Sequence, residues 1–131
     1  MPTKDDPLAR LVVDHAEANR ELLAQTLDGV VRLDPTAKKF LFAPQVRARL
    51  TARARVIATL LARKALSLLS QGFVEGAAPK VLEEELGIAG GTLRPILKRL
   101  TADGLVTRRG GNYEIPNHLI EEAGRELVGG N

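Results

Sequence analysis

Between Thr51 and Ser70 the chain carries Ala, Arg, Val, Ile, Leu, Lys, Thr and Ser, with no glycine or proline for twenty positions. These are residues that a helix interior tolerates, and several favour it. The stretch 51–70 therefore reads as one long helix, capped by Thr51 and followed by Gly72 just past its end. Its apolar surface is unusually wide. Val56, Ile57, Leu60, Leu61 and Leu68 share one side, while Leu66 and Leu69 point elsewhere. Arg55, Thr59, Arg63 and Ser70 leave only a narrow polar strip. A helix that is apolar almost all round is buried on more than one side. The rest of the chain must then wrap it, with the N-terminal segment on one flank and the C-terminal segment on the other. Arg53 and Lys64 fall on the apolar side, where burial of their stems with the charged heads reaching water is expected. Contact of those heads with another partner is the alternative.

What packs on this helix must be aliphatic, because aromatic residues make up only 3% of the chain against 44% apolar residues in all. That composition favours helices over a β-sandwich. The absence of cysteine excludes disulfides, thiolate metal sites and a cysteine nucleophile, and suits a reducing cytoplasm. No apolar run is long enough to span a bilayer, and no signal pattern stands at the N-terminus. A soluble, cytoplasmic protein is expected.

Residues 8–28 read as an amphipathic helix, with Asp5 or Asp6 as cap and Pro7 in its first turn. Leu8, Leu11, Val12, His15, Asn19, Leu22, Leu23 and Leu27 recur at spacings of three and four. After Asp28-Gly29, residues 30–33 and 39–42 flank Asp34-Pro35-Thr36 and read as a small β-hairpin; continuation of the first helix to Leu33 competes with it. At the other end, residues 118–128 form a short helix with Leu119, Ile120, Ala123 and Leu127 on one side and Asn117 as cap. Gly129-Gly130-Asn131 should fray.

The most informative stretch lies between Phe73 and Pro116. Phe73-Val74-Glu75 can make a short strand. Pro79 opens a helix to Leu86, with Leu82 and Leu86 facing inward, and Gly87 supplies a left-handed turn that Ile88 plugs. A second helix occupies about 91–103. Pro95 fits if Gly90 or Gly91 is the cap, since early helical amides lack intrahelical acceptors. At about 100° per residue, Leu93, Ile96, Leu97 and Leu100 gather on one face. Thr92, Arg94, Pro95, Lys98 and Arg99 lie around the other. Gly104 ends this helix. Residues 105–116 then read as two short strands about Gly110-Gly111, with Arg108 and Arg109 at the tip and Tyr113 as a packing residue.

Charge follows the same division. The net is −1 over residues 1–44, +7 over 45–109 and −3 over 110–131. Clustered positive charge is the electrostatic footprint of nucleic-acid binding. A helix with an aliphatic inner face and a basic, hydroxyl-bearing outer face is what the major groove accepts.

The run Glu85-Leu86-Gly87-Ile88, Thr92-Leu93-Arg94, Leu97, Leu100, Asp103-Gly104-Leu105-Val106 and a basic hairpin resembles the winged helix-turn-helix superfamily. It looks most like the DNA-binding halves of GntR-like and MarR-like prokaryotic transcription regulators. The resemblance covers about residues 51–116. The acidic-basic wing signature of the MarR type is missing, the wing is shorter than in GntR-like proteins, and residues 1–50 match no family. The resemblance implies a mainly α chain with a small β wing, in which residues 1–50 are a helical extension, 51–116 the DNA-binding domain and 117–131 a short C-terminal helix and tail. It implies a nucleoid-associated transcriptional regulator that binds double-stranded DNA through Thr92, Arg94, Pro95, Lys98, Arg99, Arg108, Arg109 and Asn112, with no cofactor and no membrane. The amphipathic segments 8–28 and 118–128 suggest a homodimer; an effector is left open.

A winged helix can also dock proteins or act as an architectural chromatin protein, and these are the alternatives. An enzyme is not expected. His15 and His118 lie on separate helices, Glu83, Glu84 and Glu85 fan out, and Gly90-Gly91-Thr92 lacks the lysine and spacing of a phosphate loop. His15 on its stripe reads as an interface residue, with a pH-sensing role left open.

Overall fold

The computed structural model describes residues 7–11 and 15–129. The expected caps Asp5 and Asp6, Val12 of the first stripe, the side chain of His15 and the terminal Gly130-Asn131 lie outside the described residues.

The chain is mainly helical, with two small antiparallel hairpins. Helix α1 (His15–Leu27) leads to strands β1 (Val31–Asp34) and β2 (Lys39–Phe42). A single-turn helix α2 (Val46–Arg49) precedes the long α3 (Ala52–Leu69). Then come α4 (Pro79–Leu86), α5 (Gly90–Ala102), strands β3 (Thr107–Arg109) and β4 (Asn112–Glu114), and α6 (Ile120–Gly129). The expected cap of the long helix is present: Thr51 Oγ1 accepts from the Ala54 amide at 3.0 Å.

Helix α3 is the axis of the molecule, and residues from Val56 to Leu66 are buried without interruption. Helices α1, α4, α5 and α6 and the first hairpin all pack on it. One apolar cluster runs from Leu23 to Leu127. The first hairpin is the expected one, and Val31, Leu33, Phe40 and Phe42 turn one face toward this core. Its four-residue tip is held where Asp34 Oδ1 accepts from the Ala37 amide at 3.0 Å.

Several expectations are corrected. Pro7–Leu11 is a 3-10 helix and not the start of an α-helix. Leu8 and Leu11 are exposed there, whereas burial of an apolar face is what stabilises most protein helices. Leu68 and Leu69 are exposed, whereas the polar positions Thr59, Arg63 and Ser70 are buried. No strand forms at 73–75, because the carbonyls of Val74, Glu75 and Gly76 all accept from the Arg63 guanidinium at 2.8–3.3 Å. In its place one isolated bridge joins Ala77 to Tyr113.

Lys64 does not reach water. Its side chain is buried, ion-paired with Glu75 and donating to Asn117 Oδ1 at 2.7 Å. Asn117 is therefore not a helix cap. A 3-10 turn at Asn117–Leu119 precedes α6, which starts at Ile120 rather than 118. Arg53 is half-buried and bridges Asp103 (2.9 Å) and Glu126 (2.7 Å), tying the start of α3 to the ends of α5 and α6.

Helix α1 packs against α6 and α3 within the same chain, and Leu23, Leu27, Ile120, Ala123 and Leu127 are all buried there. These five positions of the two stripes from which the sequence suggested a dimer are thus covered within the chain, whereas Leu8 and Leu11 are exposed. Among the described residues, no helix is long and apolar enough to cross a membrane.

Candidate nucleic-acid interface

Helix α4 begins with Pro79 at its first turn and ends at Gly87, whose φ of +66° is the left-handed conformation the sequence required. The turn is braced by Arg47, whose guanidinium donates to the Leu86 carbonyl at 2.9 Å. Helix α5 follows at once, with Ala89 as its N-cap. The helix starts one to two residues earlier than expected, so Pro95 is its sixth residue. Past the first four amides a proline removes a real hydrogen bond, here the one to the Gly91 carbonyl. Gly91 is exposed, so water can satisfy that group.

The end of α5 is closed by a Schellman arrangement. The Leu105 amide donates to Leu100 at 3.0 Å and the Gly104 amide to Thr101 at 3.1 Å, with Gly104 at φ +80°. Leu105 is spent on this closure, which is why β3 begins at Thr107 and not at 105. Strands β3 and β4 pair Arg109 with Asn112 across Gly110-Gly111. Both glycines have positive φ, as the tight turn demands.

The inward face of α5 is Leu93, Leu97 and Leu100, fully buried, with Ile96 half-buried. Thr92, Arg94, Pro95, Lys98 and Arg99 are exposed. Among the described residues, Arg94 and Lys98 have no ion pair or hydrogen bond from their side chains. They stand one helical turn apart. Arg99 is differently placed, 3.6 Å from Asp103, which Arg53 also holds.

On the hairpin, Arg108 and Arg109 are exposed. Arg108 lies over the Tyr113 ring at 5.8 Å, and Arg109 is 3.4 Å from Glu114. Asn112 is half-buried, its Cβ pressed toward Gly76, where an added side chain would come within 3.1 Å. It stands opposite Arg109 beside the turn and packs toward Gly76 as well. The structure therefore places Thr92, Arg94, Pro95, Lys98 and Arg99 on one exposed helix face and Arg108 and Arg109 on a separate exposed hairpin.

The supports of this surface are two consecutive residues of α3. Arg63 grips the approach to α4 through three carbonyls, pairs with Glu85 at 2.9 Å and lies over Phe73 at 4.9 Å. Lys64 joins Glu75, in that approach, to Asn117, just beyond β4. Burial raises the Glu75 pKa above its ordinary value, Lys64 acting in the opposite direction and Glu114 adding to the rise. The Arg53 pKa is raised, chiefly by its hydrogen bond to Glu126, so that residue stays charged. Arg63 and Lys64 could be picked out in the sequence as charges inside an apolar helix, but their partners lie 11 to 53 residues away. Arg47 was missed; its signal was the basic run Arg47, Arg49, Arg53, Arg55.

The three consecutive glutamates of α4 do diverge. Glu85 meets Arg63, Glu84 is exposed, and the Glu83 carboxylate occupies the space beside Gly90 at the start of α5. Among the described residues, no three His, Cys, Asp or Glu side chains gather in a way that could hold a metal. No family model, no curated protein and no solved structure matches the chain.

Proposed function

We propose that residues 51–116 form a winged helix-turn-helix, and that the protein binds double-stranded DNA sequence-specifically as a transcriptional regulator. Helix α5 enters the major groove, and the β3–β4 hairpin lies on the backbone or in the minor groove. The observation that carries this reading is the outward face of α5. Arg94 and Lys98 stand one helical turn apart in solvent with no acid among the described residues to neutralise them. Cations left unpaired on a helix whose opposite face is fully packed suit phosphate oxygens and guanine edges. The net charge of +7 over residues 45–109 supplies the long-range attraction.

One observation favours protein docking as a second reading. Arg99 and Arg109 each lie beside an acid of the same chain, Asp103 and Glu114, which reduces the positive charge that DNA would meet. Selection of bound duplexes from a random pool at physiological salt separates the two. Enrichment of a defined motif supports DNA recognition. Salt-sensitive binding without any enriched motif leaves an architectural role, and no duplex binding leaves docking.

A further inference from the structure

Along α1 and β1, beside the C-terminal end of α3, runs an open apolar groove of about 340 Å³. Leu23, Leu27, Val31 and Ala65 form its floor, while Leu68 and Leu69 stand at its rim with 37% and 49% of their surface exposed. Arg20 and Asp28 mark two charged positions on it, and Ala24 lies midway between them in sequence. All three are exposed. The Asp28 amide still donates to the Ala24 carbonyl at 3.0 Å, so helical spacing holds across 20, 24 and 28. Arg20 anchors to the Leu68 carbonyl through one nitrogen at 2.9 Å, which leaves its other donors free to accept a carboxylate.

We propose that this groove is closed by the same groove of a second copy, related by a two-fold axis passing close to Ala24. A two-fold interface must be self-complementary. A helix face with a cation one turn before a small residue and an anion one turn after it meets that condition. When two such helices cross antiparallel at Ala24, each Arg20 lies opposite the Asp28 of the other copy, about 6 Å to either side of the axis along the helix. The alanine permits close approach, and Leu68 and Leu69 of each copy cover the leucines of the other. This surface keeps the α1 part of the one that the sequence suggested and joins it to the end of α3; Leu23 also belongs to its own chain's core, so a charge there would disturb folding together with association. The proposal stands on the groove and not on DNA binding; together they place two copies of α5 on one duplex.

Sedimentation of the full chain without DNA tests it. The wild type is expected to be a dimer at high micromolar concentration, and Leu69→Glu a folded monomer by circular dichroism. Arg20→Asp and Asp28→Arg should each weaken self-association by about tenfold, because two attractive pairs per dimer become repulsive. The double variant Arg20→Asp/Asp28→Arg should restore it. A monomeric wild type overturns the proposal, as does a dimer that tolerates Leu69→Glu and shows no rescue by the charge exchange. Binding of the monomeric Leu69→Glu variant to a single half-site duplex is read separately. Its loss together with loss of wild-type DNA binding counts against the function and leaves the dimer standing.

Discussion

Arg63 shows why a charged residue sits in the middle of an otherwise aliphatic helix. Its planar guanidinium serves three carbonyls, the Glu85 carboxylate and the Phe73 ring at once. A lysine has three donors on one nitrogen and cannot span that set. Arg63→Lys should lower unfolding stability by about 3 kcal/mol, measured by urea denaturation, since breaking a buried pair strands its partners. The neighbouring Glu75 carries a pH signature. Its folded pKa is raised by burial, so the folded state holds its proton more tightly than the unfolded chain does. The sign follows: its contribution to stability is fully present below the ordinary carboxylate pKa and is lost as pH rises through the raised value. Relative to Glu75→Gln, the wild type should gain stability as pH is lowered through that window. A difference between the two that stays flat with pH would show that Glu75 is not perturbed. The positions of Arg63 and Lys64 on α3 were legible in the sequence. Their fate was not, because periodicity says which way a side chain points and nothing about a carbonyl 11 residues further on.

Among the elements, the ones with local punctuation were read most accurately. Pro79, Gly87, Gly104 and Gly110-Gly111 each specify a backbone conformation on their own, and α4, α5 and the β3–β4 hairpin fell where these residues put them. The 73–75 strand and the Asn117 cap failed because distant side chains, Arg63 and Lys64, claimed the groups involved. The contact of α1 with α6 was also hidden. It turns on Gly124, where a Cβ would come within 2.7 Å of the Thr26 methyl. Threonine is stiff about χ1 and cannot easily yield. Gly124→Ala should therefore destabilise the protein by about 1–3 kcal/mol despite the better helix propensity of alanine. Adding Thr26→Ala should recover most of that loss, and thermal melts of the two single and the double variants measure the coupling. On the β3–β4 hairpin, Arg108→Ala/Arg109→Ala should weaken binding to all duplexes alike and flatten the salt dependence by about one to two units of slope. An unchanged slope with reduced affinity would remove the hairpin from the backbone.

In the molecule as a whole, α3 acts as a scaffold that holds α4, α5 and the second hairpin on one flank and α1, the first hairpin and α6 on others. The wide apolar surface between 51 and 70 is what such an arrangement requires of its central helix. Which segment would cover which side was not announced, because leucine packs equally well against any aliphatic neighbour. The exposed residues of α5 were all identified from spacing, since a helix that buries Leu93, Leu97 and Leu100 must turn Arg94 and Lys98 outward. The hairpin residue Asn112 adjoins the Gly110-Gly111 turn opposite Arg109, and its Cβ also packs toward Gly76, a contact that spacing does not announce. DNA recognition by α5 is best examined by comparing Arg94→Ala with Arg99→Ala in binding titrations on the preferred duplex and a scrambled one. Arg94, unpaired on the outward face, should cost about 1–3 kcal/mol on the preferred site and relax specificity at one or two positions. Arg99, shared with Asp103, should cost less and cost it equally on both duplexes. Both variants should keep the wild-type fold, because neither side chain is in the core. If both bind the two duplexes as the wild type does, α5 does not read DNA and its basic face serves another partner.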